Sequence, residues 1–491
     1  MKAEKLIPFA PILIESTRSI GYSFETALAD IIDNSIAKKA TEINIYFSSN
    51  DPQYVAVLDD GTGMSENELL NAMRFGSKSS LDVRDKDDLG RFGLGLKTAS
   101  LSQCRKLTVI SKQNGNTHAA CWDLDYVIEK GDWSLQWLNQ QEIRSLPHSE
   151  YLNTVESGTI VIWESFDRID ASAADRRKVF DENIEHARSH VSLVFHRFME
   201  KEGNRRPIRI YFNMDLLKPT DPFLTSHPST QPLTEQILIV NDAKIRVKPY
   251  ILPYASKVSQ KDKKKLGELA DLRSNQGFYV YRNRRLIIWG SWFRLIKAEE
   301  LNKLARIRVD IPNSLDAIWE IDVKKSTASL PDIIKEPLRN IVRQAIAGSE
   351  KVYKYRGRKL KDDKLEHVWI TMENRGKYEY LINRDMQIYR QIEALLDDQG
   401  RNYLNLFVRM LEGSFPYGDI YFRLAKDENS IETEKLEFED VYQHAQDLIE
   451  SYRKTLGNSP QEIINILEVN DFFMNYPDVI RKLREEYQDE Q

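Results

Sequence analysis

Three short stretches of this chain carry residue types that can handle a phosphorylated ligand. The first is ETALADIIDNSIAKKA. On a helix turning about 100° per residue, Asp30 and Asn34 share one face with Asp33 beside them, while Phe24, Leu28, Ile31, Ile32 and Ile36 cover the other. A hard cation such as Mg2+ prefers oxygen ligands and keeps several waters, so the amide oxygen of Asn34 plus phosphate oxygens suffices to hold it. Asp30, a carboxylate one turn away, can orient and deprotonate a water attacking a terminal phosphate. The second stretch is YVAVLD followed by Asp60-Gly61-Thr62-Gly63-Met64, a strand leaving through a glycine turn. The glycines permit positive φ and close approach of backbone to a ligand. Asp59, at the strand end, can accept a hydrogen bond from an exocyclic amine and so select adenine over guanine. The third is Gly90-Arg91-Phe92-Gly93-Leu94-Gly95-Leu96-Lys97, running into the helix-compatible LKTASLSQC. Backbone N–H groups at a helix start form an anion site, and Lys97 adds a cation.

Each stretch also has an ordinary reading when taken singly: an amphipathic helix, a surface turn, a glycine loop. The third is neither a Walker A loop nor a Rossmann fingerprint, since its spacing is G-x-x-G-x-G. The polar FGSKSSLDVRDKDD before it has the composition of a lid that orders over nucleotide, or of a plain surface loop.

The elements that must position these residues are legible in outline. Up to about residue 200, helical segments alternate with the β-rich runs EINIYF, YVAVLD, KLTVIS and GTIVIWE, and ENIEHARSHVSLVFHRFMEK reads as a closing helix. A break at GNRRP opens a second α/β region with RIRIYF, ILIVND, KIRVKPYIL, QGFYVYRNRRLIIWG, RIRVDIP and IWEIDVKKS, then a helix from about Asp332 to Ala347. The charged KVYKYRGRKLKDDK marks another boundary, and the rest is mostly helical. The expected division is residues 1–202, 203–348 and 349–491.

The 491 residues, 41% hydrophobic and 30% charged, describe a soluble globular chain with room for several cores. No apolar run approaches the roughly 18 residues a membrane span needs, and the N-terminal apolar stretch, interrupted by Pro8 and Pro11, does not read as a signal peptide. Two cysteines, Cys104 and Cys121, fit a reducing cytoplasm. A net charge of −5 excludes a globally basic surface but not local basic patches. KVYKYRGRKLKDDK interleaves basic residues with Tyr353 and Tyr355, which suits phosphate contact plus base stacking or reads as solvated linker and strand edge, and Lys261–Lys265, Arg282, Arg284 and Arg285 add positive charge nearby.

Taken in order, D-x-x-x-N on a helix, D-x-G-x-G, a polar lid, G-x-x-G-x-G-L-K and S-G-T-I-V resemble the GHKL superfamily of ATPases over about residues 15–170. That superfamily includes DNA gyrase B, the heat-shock chaperone ATPases, sensor histidine kinases and mismatch-repair MutL. Within it, ALADIIDNSI and FGLGLKTAS look most like the MORC branch and its prokaryotic relatives. The resemblance implies an α/β fold (an α+β two-layer sandwich): a Bergerat-fold ATPase domain, an S5-like transducer domain and a mostly helical C-terminal region. It implies ATP and Mg2+ as ligands, with Asn34 on the metal and Asp59 on adenine, supported by Thr159. The loop Gly61, Gly63 and Met64 lies beside them, and Gly90, Gly93, Leu94, Gly95, Leu96 and Lys97 form the phosphate turn. It makes Asp30 the general base and Lys324 or Lys325, leaving IWEIDV, the lysine that reaches the γ-phosphate; only one of that pair can face the pocket from an extended strand. Most ATP-hydrolysing relatives carry glutamate where Asp30 stands. A direct base one methylene shorter sits about an ångström further from the water, so slow hydrolysis is implied.

The resemblance further implies a homodimer closed by ATP, DNA-linked work beside restriction or phage-defence genes, and a separate nuclease or other defence protein as partner. A chaperone-like ATPase acting on protein clients and a nucleotide-sensing module with very slow turnover are the alternatives. A histidine kinase is disfavoured, because no phosphoacceptor histidine precedes the Asp30 helix.

Overall fold

The computed structural model describes residues 8–19, 21–76, 95–168, 175–254, 257–315, 319, 330–354, 367–374, 377–426, 436–470 and 472–488. The chain divides into two compact units, residues 1–354 and 355–491.

The first unit is α/β and holds two sheets, each with its own core. In chain order its opening elements are α1 (Ala10–Arg18), α2 (Phe24–Ala37), β1 (Glu42–Ser48), β2 (Tyr54–Asp59), α3 (Glu66–Met73), α4 (Gly95–Gln103), β3 (Lys106–Gln113), β4 (Asn116–Asp123), α5 (Leu124–Lys130), β5 (Gln136–Trp137), α6 (Gln140–Arg144) and β6 (Gly158–Glu164). They are followed by α7 (Arg176–Val194), α8 (His196–Met199), β7 (Arg209–Phe212) and β8 (Asp215–Leu216). The first sheet has the order β5-β4-β3-β6-β2-β1-β7-β8. Its central strands read as unbroken apolar runs because both faces are covered. On β2, Val55 and Val57 pack with the helices α1, α2, α4 and α7, while Ala56 and Leu58 join a smaller cluster with Ile110, Ile160 and Ile162 on the opposite face. On β6 the same alternation sends Val161 and Trp163 to the helices.

RIRIYF, expected to open the second region, instead supplies β7, which pairs in parallel with β1 (Glu42 opposite Arg209) and carries the first sheet beyond residue 202. A strand's periodicity announces its extension but not its partner. The helix expected over ENIEHARSHVSLVFHRFMEK begins earlier, at Arg176, where Asp175 caps it by accepting from the Arg177 and Lys178 amides.

The second sheet contains β9 (Gln231–Pro232), β10 (Gln236–Val240), β11 (Ala243–Ile251), β12 (Gly277–Arg282), β13 (Arg285–Ser291) and β14 (Ala305–Ile311), with α9 (Gln260–Leu266) between β11 and β12. Its order is β10-β11-β14-β12-β13, with β9 added beside β11. The helix α10 (Asp332–Lys354) closes it through Ile334, Leu338, Ile341, Val342 and Ala345, a stripe at helical spacing. It runs past the expected stop at Ala347, so the first residues of the charged segment are helical.

The second unit holds an antiparallel hairpin, β15 (Trp369–Asn374) and β16 (Lys377–Ile382), which composition did not reveal. Its helices are α11 (Gln387–Leu395), α12 (Asp398–Gly413), α13 (Tyr417–Lys426), α14 (Phe438–Leu456), α15 (Pro460–Glu468) and α16 (Pro477–Glu486). The last three share a core built on Val441, Ala445, Ile449, Ile463, Ile464, Val479 and Leu483. No described helix is long and apolar enough to cross a membrane.

Candidate functional site

The site grows from α2. Its apolar residues Phe24, Ala27, Leu28, Ile31 and Ile32 are buried in the first core, which fixes the rotation of the helix. Asn34 is left exposed on the open side. Asp30 and Asp33 behave differently from the solvent-facing polar residues of an ordinary amphipathic helix, because both are buried. The helix stops at Lys38, and Lys39 takes positive φ (64°), turning the chain into β1.

At the end of β2, Asp59 points inward. Its Oδ2 accepts from Ser35 Oγ at 2.8 Å and its Oδ1 from the Gly61 amide at 3.0 Å. The Thr159 backbone is a third donor to this carboxyl, and with about four acceptor sites a carboxylate still has capacity for another. Burial pushes the Asp59 carboxyl up to about 6, against the pull of the Ser35 and Gly61 hydrogen bonds. Its neighbour Asp60 has a structural role, accepting from the Thr41 and Glu42 amides at 2.7 and 2.8 Å. Thr159 stands opposite Asp59 across the β2–β6 pairing, and its hydroxyl meets Ser111 Oγ at 2.9 Å. Ser157 Oγ donates to the Gly61 carbonyl at 2.7 Å, so β6 and the glycine turn are tied together.

Two of the turn glycines are required by space. Gly63 has φ +66°, and a Cβ there would lie 1.9 Å from the Lys112 carbonyl oxygen. At Gly61 a Cβ would meet the Lys38 carbonyl oxygen at 2.9 Å and Asp59 Oδ1 at 2.9 Å. Met64 is half-buried against the first core, and Ser65 then caps α3 in a reciprocal pair with Glu68.

The start of α4 meets α2 at the carboxylate: a Cβ on Gly95 would sit 3.2 Å from Asp30 Oδ2. Leu96 packs on the core. Lys97 is buried, and its ammonium donates to the Ala72 carbonyl at 2.7 Å in the last turn of α3, where a cation suits the helix dipole. Burial lowers its pKa to about 8. The cation expected at this turn is thus directed toward the end of α3. Gly90, Gly93 and Leu94, the lid stretch from residue 77, and Lys324 and Lys325 lie outside the described residues.

Sequence reasoning missed four contributors. Tyr22 donates to Asp30 Oδ2 at 3.1 Å, and Ser35 and Ser111 support Asp59 and Thr159. Ser35, adjoining Asn34 on α2, was open to prediction as a residue one position round the helix. The fourth, Arg285, comes from β13 in the second sheet. Its Nη2 lies 3.7 Å from Asp30 Oδ1 and its Nε 2.8 Å from Asp33 Oδ2, with all three side chains no more than 5% exposed. No spacing signal links positions so far apart in sequence.

Arg282, Arg284 and Arg285 therefore do not belong to a basic surface patch. Arg282 and Arg285 are buried, and Arg284 Nε is paired with Glu202 at 2.9 Å. Unpaired charge inside the fold is costly, and the acidic neighbours on α2 and after α8 draw Arg285 and Arg284 inward.

The donor set suits a magnesium nucleotide. It comprises an exposed amide oxygen at Asn34, a buried carboxylate with spare acceptor capacity at Asp59, glycine backbone at Gly61 and Gly63 where side chains have no room, and Gly95, where a Cβ would press on Asp30. Residues 22–159 match the family profile described as "Histidine kinase-, DNA gyrase B-, and HSP90-like ATPase". The chain is similar to ATPase morc-1 of Caenorhabditis elegans, with 32% identity over 91 residues, which is 18% of this chain and 10% of that protein. It is similar to ATPase MORC2B of Mus musculus, with 33% identity over 91 residues, 18% of this chain and 9% of that protein. A DNA mismatch repair protein MutL from Afipia carboxidovorans matches at 26% identity over 101 residues, 20% of this chain and 16% of its own length. The matched stretch is thus about a tenth of the two MORC relatives.

Proposed function

Since residues 22–159 are a GHKL-type ATPase region, we propose that this chain binds Mg–ATP, hydrolyses it slowly, and uses the bound nucleotide to close two copies into a clamp that works on DNA. The observation that carries the nucleotide reading is the convergence of three segments: Asp59 held by Ser35 and Gly61, the crowded Gly63 turn, and Gly95 against Asp30. Asp59 would accept from the adenine amine, and backbone at Gly95 and beyond would approach phosphate. Asn34 would hold Mg2+, which when bound neutralises phosphate charge and favours attack at phosphorus. Asp30, oriented by Tyr22, would take the proton of the attacking water. Work on DNA is supported by the similarity to a DNA mismatch repair protein MutL. The reducing compartment we propose, the cytoplasm, suits two buried free cysteines.

A second reading, a nucleotide sensor with negligible turnover, is favoured by one observation: the short Asp30 side chain is already engaged by Tyr22 and Arg285. Turnover decides between them. ATP affinity and steady-state hydrolysis are to be measured for the unmodified chain, Asp30→Asn and Asp59→Ala, with and without DNA. The ATPase reading expects Asp30→Asn to keep affinity while losing at least about 100-fold in kcat, and Asp59→Ala to lose binding. Hydrolysis in Asp30→Asn equal to that of the unmodified chain removes Asp30 as the base. DNA that changes neither turnover nor affinity at any salt concentration removes the DNA clamp and leaves the chaperone-like alternative.

A further inference from the structure

Two buried carboxylates, Asp30 and Asp33, sit three residues apart on α2 and share one arginine that belongs to another sheet. The arrangement is built from the sequence upward. β12 and β13 are joined by a two-residue turn, Asn283-Arg284, with φ of 47° and 73°, both in the left-handed region that tight hairpins use. So short a turn leaves little freedom in where Arg285, the first residue of β13, projects. β13 lies at the edge of the second sheet, and its Trp289 packs against both cores and meets His190 of α7 at 5.8 Å between ring centres. The guanidinium of Arg285 also lies 5.7 Å from the Phe195 ring centre.

A lattice of ion pairs surrounds this seam. Arg284 reaches Glu202 at 2.9 Å and Arg197 pairs with both Glu202 and Asp310, while Arg308 meets Asp310 at 3.0 Å. Segment 196–202, the β12–β13 turn and β14 are therefore cross-linked where β13 delivers Arg285 to α2. A guanidinium is planar and forked, so it can address two carboxylates at once and constrain their orientation, which an ammonium on a flexible stem cannot. Tyr22 holds the other oxygen of Asp30.

We propose that Arg285 is a positioning residue for hydrolysis, orienting the Asp30 carboxylate so that turnover depends on how the second sheet is seated against α2 and α7. This rests on the reading of Asp30 as the base. It also gives that reading a physical reason: a side chain one methylene too short is held from two directions instead of being left to reach. Among the described residues the ion pairs of Arg285 run to Asp30 and Asp33, so its loss is expected to act on chemistry and not on nucleotide affinity.

The test compares kcat with ATP affinity in Arg285→Lys and Arg285→Gln, using the full chain and Mg–ATP, with far-UV circular dichroism as the check on folding. Arg285→Lys keeps the charge but loses the fork, and is expected to lower kcat about tenfold while the ATP dissociation constant stays within about threefold. Arg285→Gln is expected to lose about 100-fold in kcat, so that lysine is a partial rescue. If Arg285→Gln does not fold, Arg285→Lys alone decides. A kcat within about twofold of the unmodified chain overturns the proposal, as does a loss of affinity that accounts for the whole change. Absence of turnover in the unmodified chain overturns the hydrolytic reading and the role of Arg285 with it. Normal turnover there, with unaltered Arg285 variants, overturns only the role of Arg285.

Discussion

Asp59 shows how burial and hydrogen bonding compete at one carboxyl group. Desolvation raises its pKa to about 6, and Ser35 Oγ and the Gly61 amide pull against that rise without cancelling it. An adenine amine needs an acceptor, and a protonated carboxyl has lost part of its accepting capacity. ATP affinity of the unmodified chain is therefore expected to weaken as pH falls through 6. The slope should approach about tenfold per pH unit, and Asp59→Asn should lose both affinity and that slope. Stability of the nucleotide-free chain runs the opposite way. The group's pKa is raised on folding from 3.8, so its favourable contribution is complete below that value and lost as pH rises through about 6. Calorimetric titration of nucleotide from pH 5 to 8 checks the first, and a pH series of melting curves with Asp59→Asn the second. Affinity in the unmodified chain that is flat across pH 6 would remove Asp59 as the acceptor.

At the scale of elements, the glycine turn between β2 and α3 is the most crowded glycine connection among the described residues of the site. Gly63 combines φ +66° with a Cβ position 1.9 Å from the Lys112 carbonyl oxygen, so a side chain there must displace β3 backbone. Gly63→Ala is expected to destabilise the chain by about 2–4 kcal/mol, the sum of left-handed strain and overpacking, and to weaken ATP binding. Urea titration of both variants checks this: Gly115, also at positive φ but with nothing within 4 Å of its Cβ position, should lose less when changed to alanine. The contrast between such elements explains what could be read beforehand. α2 was legible because its apolar residues recur at helical spacing, and β2 and β6 because they are apolar on both faces. The glycine turn was legible because D-x-G-x-G states a backbone requirement in residue types. β4 was not foreseen: NTHAACWD opens on polar residues, and its pairing with β3 and β5 makes it a strand. The parallel partner of β7 and the reach of Arg285 into α2 were not legible either. Both are tertiary facts that no local period encodes.

For the whole molecule, the clamp reading has a surface to work with. α1 buries Ala10 and Ile14 in the first core but turns Ile12 and Leu13 outward, with Ile12 67% exposed, and Phe9 just before the helix is exposed as well. A run of outward apolar side chains on a helix that also carries a buried face is costly to leave in water and is relieved by a partner. If nucleotide closes two copies, this helix is the face we expect a second copy to cover. Light scattering with a non-hydrolysable ATP analogue and Mg2+ should then show twice the mass of the nucleotide-free chain. Ile12→Glu should stay monomeric while its ATP affinity remains within about threefold, because a charge in an apolar contact opposes association without entering the pocket. Asp59→Ala should also stay monomeric, but for the other reason, that it does not bind the nucleotide. The two variants separate closure from binding: a dimer in Ile12→Glu moves the interface elsewhere, and equal mass with and without the analogue in the unmodified chain ends the clamp reading.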